Sequence, residues 1–366
     1  MSPPARTIGQ IERHEKRASA SHGTVELNAP IQSKGPQRHR ALLILGYGLA
    51  TICLVWVLHD FHLVRALRDF ANVDWKWVVV GMACDVFSYG VQALRWKFLL
   101  TPFGKVRLSR SIRAVYSGLF ANIILPLRPG EFLRSYVLAD SEDIKLTRVL
   151  GSVGVERFVD LVVATAALAI VSLLVELPRR FQRVADILGI VTLVLLAIAG
   201  VLILYLEIKL GNTPQPEAGR RHLPGKAMAV LTDLHAMGTA PSFYAAVLTS
   251  VLIPFFQVLG LWAMMRSYGL ELSFLAAVVV LLIINLGVSL PNAPANVGAY
   301  QLFCVLGLSV FQIEKTTATG FSIFAFLALT LPLVFLGFAA LLRSGLSLRS
   351  MREKVNRMPE QALQAD

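Results

Sequence analysis

The sequence is poor in charged residues, and this excludes most classes of soluble protein. Of its 366 residues only 16% are Asp, Glu, Lys or Arg, whereas 55% are hydrophobic. Soluble domains carry about 25% charged residues. The composition does not suit a soluble enzyme, a disordered protein or a disulfide-rich scaffold, and it indicates a membrane protein.

Cysteine and histidine are also scarce, and their positions give no metal site. The three cysteines, Cys53, Cys84 and Cys304, lie within apolar segments and form no C-x-x-C pair. Such cysteines usually pack as small apolar residues. The seven histidines all lie outside the apolar segments and show no metal-binding spacing. We therefore expect no metal, no cofactor and no catalytic residue of these types.

Long uncharged segments occupy much of the chain. About 20 apolar residues cross the hydrocarbon core of a bilayer. Two spans are expected at 77–94 and 151–175, and 272–313 is long enough for two passes. The segments without any charged residue are 41–58, 187–206, 243–265, 272–313 and 316–342. The pattern predicts an all-α polytopic membrane protein with about eight transmembrane helices.

The basic residues orient these spans. A net charge of +12 could suggest nucleic acid, but the Lys and Arg residues lie between apolar segments, where they set topology and contact anionic lipid. The predicted cytoplasmic segments carry 26 Lys and Arg residues, and the predicted outer loops carry 8. We expect a disordered cytoplasmic arm (1–40), a transmembrane domain (41–342) and a basic cytoplasmic tail (343–366). Both termini then face the cytoplasm of a bacterial inner membrane, with no nucleic-acid partner.

Two apolar segments are interrupted, near 111–138 and 285–301. In each, an Asn precedes a proline-rich stretch and an apolar helix follows. Breaks at membrane depth persist where protein or a wet cavity satisfies the backbone. Paired breaks in two halves of a chain point to the central site of a transporter and to an inverted repeat. Two unrelated proline kinks are the alternative. The candidate residues here are Asn122, Asn285, Pro294, Gly298 and Gln301.

Four charged residues lie within predicted spans. Glu156 and Asp160 share a helix face, and Arg157 is close enough to pair with Asp160. Charges in a membrane normally face the protein interior or water. The alternative places this triad at headgroup level. Asp85 lies deeper, and an ion pair with an Arg of the 128–134 region or with Arg157 is expected, the alternative being a protonated structural Asp.

A basic cluster surrounds the first break. Arg128, Glu131 and Arg134 flank Pro129-Gly130. A guanidinium binds phosphate through two parallel hydrogen bonds, and a helix starting near Gly130 would direct N–H groups toward an anion. The cluster suits a phospholipid or polyprenyl phosphate headgroup. A basic loop that only sets topology is the alternative.

Four motifs occur along the chain in a fixed order. They are Leu94-Arg95-Trp96, Arg128-Pro129-Gly130-Glu131-Phe132-Leu133-Arg134, Glu156-Arg157-x-x-Asp160-Leu161 and Pro294-Ala295-Asn296-Val297-Gly298-Ala299-Tyr300-Gln301. Together they resemble the lysylphosphatidylglycerol synthase transmembrane-domain family, also called flippase-like integral membrane proteins, and the resemblance covers roughly 41–342. The family often reads P-G-G-x-G-x-x-E in the last motif, whereas this chain has Ala295, Asn296 and Gln301.

The resemblance implies movement or presentation of lipids, such as anionic phospholipids, hopanoids or polyprenyl-linked lipids. Bifunctional members add a soluble aminoacyl-transfer domain, and because 24 residues follow the last span, we expect no such activity here. The expected partners are membrane lipids with an anionic headgroup and proteins of an envelope-lipid pathway. The alternatives are a membrane enzyme that uses a polyprenyl-phosphate or phospholipid substrate, and a non-catalytic scaffold.

Overall fold

A computed structural model describes residues 35–59, 61–125, 128–174, 179–211, 225–289 and 294–344, and in these ranges the regular structure is entirely helical. The first 34 residues of the predicted arm and residues 345–366 of the predicted tail lie outside the described part. The α-helices are α1 Gly35–Leu58, α2 Leu63–Ala71, α3 Trp75–Leu100, α4 Leu108–Ile124, α5 Gly130–Glu142, α6 Leu146–Leu174, α7 Arg179–Gly211, α8 Gly225–Thr239, α9 Pro241–Ser267, α10 Phe274–Val288, α11 Ala299–Ser309 and α12 Lys315–Arg343.

The prediction of an all-α polytopic membrane protein is confirmed. Within the described ranges, four segments are long and apolar enough to cross a membrane, namely Trp75–Phe103, Leu146–Leu174, Pro241–Ser267 and Lys315–Arg343. Shorter apolar stretches occupy Gly46–Leu58, Asp186–Ile198 and Phe274–Val288. Helix α6 covers 151–174 of the predicted span 151–175, and the segment 272–313 is divided between α10 and α11. The other predicted spans each lie within one described helix.

Two pairs of helices are too short to cross individually. Helix α10 has 15 residues and α11 has 11, which at 1.5 Å per residue correspond to about 22 Å and about 16 Å. The hydrocarbon core is about 30 Å thick. The segment 272–313 is therefore a pair of short helices around a break, as its proline-rich sequence predicts. The other predicted break separates α4 from α5 in the same way.

The two breaks belong to an internal repeat. The α3–α6 segment contains helices of 26, 17, 13 and 29 residues, and the α9–α12 segment contains helices of 27, 15, 11 and 29. The contacts follow the same symmetry, because α4 packs on α12 of the other repeat and α10 packs on α6. Each repeat is a long helix, a broken helix pair and a second long helix.

The repeats run in opposite directions. Helices α3 and α9 form the most extensive helix contact, and it is antiparallel, since the N–H of Asp74 donates to the carbonyl oxygen of Ser267 at 3.0 Å while Arg95 reaches Ser250. Gly81 and Gly260 let the backbones approach: a Cβ on Gly81 would lie 2.9 Å from the Gly260 carbonyl oxygen. Small residues allow such close helix packing in membranes. The inverted repeat expected from the paired breaks is present.

Local sequence signals place the helix starts. An Asp74 carboxylate oxygen accepts a hydrogen bond from the N–H of Lys76 at 2.9 Å and caps α3. The hydroxyl of Ser273 accepts one from Ala276 at 3.2 Å and caps α10. Pro241 occupies the first position of α9, where its missing N–H costs nothing. These signals mark the start of the long helix in each repeat and of the broken pair in the second repeat.

Candidate functional site

The first break is closed by its own side chains. The amide oxygen of Asn122 accepts a hydrogen bond from the N–H of Gly130 at 2.7 Å. A Cβ on Gly130 would lie 2.0 Å from the Gly118 carbonyl oxygen, so only glycine fits. The first N–H of α5 is therefore already bonded within the protein, so one of the N–H groups expected to face an anion is occupied. Asn122 and Gly130 close the break through this hydrogen bond and this backbone contact.

The second break uses left-handed backbone and a glutamine cap. Ala295, Asn296 and Gly298 have φ values of 56°, 59° and 86°, and Pro294 begins the 3-10 turn that contains the first two. The side-chain oxygen of Gln301 accepts a hydrogen bond from the N–H of Gly298 at 2.7 Å. Gln and Glu serve equally in such a cap. The absence of the family carboxylate at Gln301 therefore does not remove this structural role.

The two breaks meet. The guanidinium of Arg128 donates a hydrogen bond at 2.7 Å to the carbonyl oxygen of Val288, at the end of α10. Arg128 itself has a φ of 53°, an uncommon conformation for a side-chain-bearing residue that is often found at functional sites. Its side chain is exposed, as is Asn285 one turn before the end of α10. Helix α4 also packs on the 3-10 turn at Pro294.

A buried charge network lies beside this junction. Glu156 of α6 is 0% exposed and pairs with Arg95 of α3 and with Arg134 of α5, the latter at 2.6 Å. Arg95 is 1% exposed, and it also pairs with Asp160. Gln92 donates to Glu156 at 3.2 Å. Buried ions need both a counter-ion and further hydrogen bonds to offset the cost of removing them from water. These contacts supply both.

The outer part of the network is more accessible. Glu131 pairs with Arg134 and, at 2.5 Å, with Arg157. Arg157 is 53% exposed and lies 3.6 Å from Asp160, which is 35% exposed. The network thus combines three guanidiniums, of Arg95, Arg134 and Arg157, with three carboxylates, and its formal charge is zero. Three elements, α3, α5 and α6, are held together by it.

This geometry changes the roles expected for two residues. Arg134 is 4% exposed, is engaged by Glu131 and Glu156, and stacks 4.8 Å from the ring of Trp96. It is therefore not placed to bind a phosphate, in contrast to the expectation. Arg157 lies at the accessible edge, whereas Arg95 is the buried partner of the carboxylates. Arg95 was absent from the candidate residues, although the Leu94-Arg95-Trp96 motif marked it.

The expected ion pair of Asp85 is absent. No hydrogen bond or ion pair of the Asp85 carboxylate is found among the described residues, because Arg134 and Arg157 are paired elsewhere and Arg128 bonds to Val288. Three tyrosines of α3, α4 and α11, also missed by the sequence reasoning, lie within electrostatic range of Asp85. They are Tyr89, Tyr116 and Tyr300.

The junction therefore presents an exposed guanidinium, an unpaired carboxylate and phenol groups beside a neutral ionic network. No cluster of three His, Cys, Asp or Glu residues that could hold a metal ion occurs in the described part of the chain.

Residues 43–337 match the family described as the lysylphosphatidylglycerol synthase TM region. The chain belongs to this family. A UPF0104 membrane protein of Methanothermobacter thermautotrophicus is 22% identical over 264 residues, which cover 68% of this chain and 78% of that protein. No solved structure matches the chain. As a member of the lysylphosphatidylglycerol synthase TM region family, the protein is a multi-pass membrane protein.

Proposed function

We propose that the protein is a lipid translocase that moves a lipid headgroup through the junction of its two broken helix pairs. The observation that carries this proposal is the hydrogen bond from Arg128, in the first break, to Val288 at the edge of the second. Inverted repeats whose discontinuous helices meet near the membrane centre are typical of transporters that expose one site to either side in turn. Membership of a membrane family named for a phospholipid synthase supports a lipid substrate.

Arg128 is the group that contacts the headgroup phosphate. Its side chain is exposed, and one of its guanidinium nitrogens bonds to Val288, which orients the remaining donors. A guanidinium so oriented suits the two oxygens of a phosphate. The ion pairs of Glu156 with Arg95 and Arg134 have a supporting role, because they hold α5 against α3 and α6. The lipid class is therefore one with an anionic phosphate, as in a phospholipid or a polyprenyl phosphate.

The orientation follows the distribution of basic residues. Both termini face the cytoplasm, the α4–α5 pair opens to the cytoplasmic side and the α10–α11 pair opens to the outer side. The antiparallel α3–α9 contact supports opposite orientations of the two pairs. In a bacterial cell the corresponding location is the inner membrane.

The test is lipid movement in vesicles that contain only this protein. Phosphatidylglycerol with a fluorescent headgroup is placed in both leaflets, and a membrane-impermeant quencher reports the fraction reachable from outside over time. Protein-containing vesicles should lose fluorescence beyond the outer-leaflet fraction, and empty vesicles should not. Identical curves for the two would reject translocation, and chemical conversion of the labelled lipid would indicate the enzymatic alternative.

A further inference from the structure

Asp85 is exceptional among the carboxylates at the core of this protein. Glu156 is enclosed by Arg95 and Arg134, and Asp160 contacts Arg95 and Arg157. The side chain of Asp85, in the middle of α3, has no hydrogen bond or ion pair with any described residue. It is only partly exposed. A carboxylate at membrane depth without a counter-ion marks a functional position.

The elements packed on α3 bring no cation to Asp85. Helix α9 places Gly260 against its backbone, and the ionisable residues of α9, Tyr244 and Arg266, lie at its two ends. Helix α12 has no charged residue between 316 and 342. Glu156 of α6 engages Gln92, almost two turns along α3. The 3-10 turn at Thr101–Phe103 lies at the far end of α3.

The ionisable neighbours of Asp85 include three phenols. Tyr89 of α3, Tyr116 of α4 and Tyr300 of α11 lie within electrostatic range of its carboxylate. Tyr116 donates to the Val86 carbonyl oxygen at 2.8 Å, whereas the buried hydroxyl of Tyr300 has no hydrogen-bond partner among the described residues. The thiol of Cys84 is the other ionisable neighbour of Asp85. The tyrosines have two further neighbours: Cys304 lies near Tyr300, and Arg128 lies within electrostatic range of Tyr89.

We propose that Asp85 is a proton-binding site that couples lipid movement to proton movement; the coupling rests on the proposed translocase function. The carboxylate takes one proton from water on one side of the membrane and becomes a neutral carboxylic acid. It releases that proton to water on the other side, and no electron or other group is transferred. Because Tyr300 comes from the second repeat and Asp85 from the first, a shift of one repeat against the other changes the phenols around the carboxyl. That shift is the step that lipid passage requires.

The first test detects the proton without relying on transport. Dicyclohexylcarbodiimide is an apolar reagent that modifies protonated carboxyl groups, and the modified residue is located by peptide mass spectrometry. The full-length protein in phosphatidylglycerol and phosphatidylethanolamine vesicles should be modified at Asp85, more strongly in acidic than in alkaline buffer. Paired Glu156 is the internal control and should stay unmodified. Equal modification of both residues, or none at Asp85 in a protein that melts normally, would overturn the proposal.

The second test addresses coupling. The same vesicles carry a pH gradient of either direction and a trace of headgroup-labelled phosphatidylglycerol. In the native protein the leaflet in which the label accumulates should reverse with the gradient, and in Asp85→Asn it should no longer follow the gradient. Glu271→Gln, an exposed carboxylate-to-amide change outside the spans, should behave as the native protein. Accumulation that ignores the gradient in the native protein would overturn coupling. If the native protein moves no lipid, the translocase function is rejected, while the carbodiimide result still decides whether Asp85 binds a proton.

Discussion

Glu156 is the residue on which the buried charge network depends. It is fully buried and accepts from Arg95, Arg134 and Gln92. No other carboxylate of the network contacts both buried guanidiniums. Its removal therefore leaves two cations in an apolar environment with too little negative charge nearby.

Glu156→Gln should strongly destabilise the protein. Breaking a buried ion pair on one side costs about 3–5 kcal/mol, and here one carboxylate serves two guanidiniums. The expected result is a clearly lower thermal midpoint in detergent, measured by tryptophan fluorescence. Glu271→Gln, which removes an exposed carboxylate, should leave the midpoint unchanged. Equal midpoints for both variants would contradict the assigned role of Glu156.

Arg157 and Arg134 should differ in their effect on stability, although the sequence suggested Arg157, and not Arg134, as the partner of the α6 carboxylates. Arg157 is 53% exposed, while Arg134 is 4% exposed and pairs with Glu156. Exposed ion pairs contribute about 0–1 kcal/mol, so Arg157→Ala should melt close to the native protein. Arg134→Ala should melt much lower. Melting in the reverse order would show that the outer pair with Glu131 is the stronger one.

Arg128→Lys tests the phosphate contact. Lysine keeps the positive charge and hence the topology, but it lacks the planar fork that offers two parallel hydrogen bonds to phosphate. We expect several-fold slower movement of labelled phosphatidylglycerol in the vesicle assay, with an unchanged melting midpoint. Native mass spectrometry should find less retained phospholipid. Full lipid retention together with full transport would exclude Arg128 as the phosphate ligand.

At the scale of the elements, each broken pair depends on close backbone approach. Gly118 of α4 and Gly130 of α5 are in contact, and Asn122 bonds the first N–H of α5. Gly337 of α12 in turn faces Phe120 of α4, where a Cβ would lie 2.7 Å from Phe120. The first break is thus fixed from within its own pair and from the opposite repeat.

Gly130→Ala should therefore open or destabilise the α4–α5 pair. The added methyl group would lie 2.0 Å from the Gly118 carbonyl oxygen and 2.5 Å from the side-chain oxygen of Asn122, and overpacking typically costs about 1–3 kcal/mol. The measurement is again the thermal midpoint, together with lipid movement. Gly154→Ala is the matched control, because a Cβ there meets nothing within 4 Å. Alanine favours helix over glycine by about 1 kcal/mol, so this variant should melt at the native midpoint or slightly above it.

At the scale of the whole molecule, we propose that the two broken pairs open to opposite sides of the membrane, which the antiparallel α3–α9 contact and the distribution of basic residues favour. Single cysteines test this arrangement in intact cells. Lys145→Cys, between α5 and α6, should resist a membrane-impermeant maleimide until the cells are permeabilised. Glu271→Cys, between α9 and α10, should react at once. Both positions are exposed, and the parent protein with its three native cysteines gives the background. Reaction of both variants from outside would contradict opposite orientations of the two repeats.

The sequence by itself determined the helical membrane architecture and the positions of the breaks. Apolar length and charge-free runs dictate spans because the bilayer has a fixed thickness. Pro129 precedes α5 and Pro294 begins the 3-10 turn before α11, and proline disfavours a continuous helix because it lacks an N–H. The sequence also indicated the repeat, because each half of the chain contains one apolar segment that is interrupted by a proline-rich stretch.

Only the tertiary structure decided which charges pair. Arg95 and Glu156 are 61 residues apart, and a one-dimensional sequence carries no information on which of several arginines reaches a given carboxylate. The packing of α3, α5 and α6 within the first repeat buries Arg95 and Arg134 around Glu156 and keeps Arg157 at the accessible edge. The packing of the second repeat on α3 brings no counter-ion to Asp85, because α9 and α12 present uncharged surfaces to the middle of that helix.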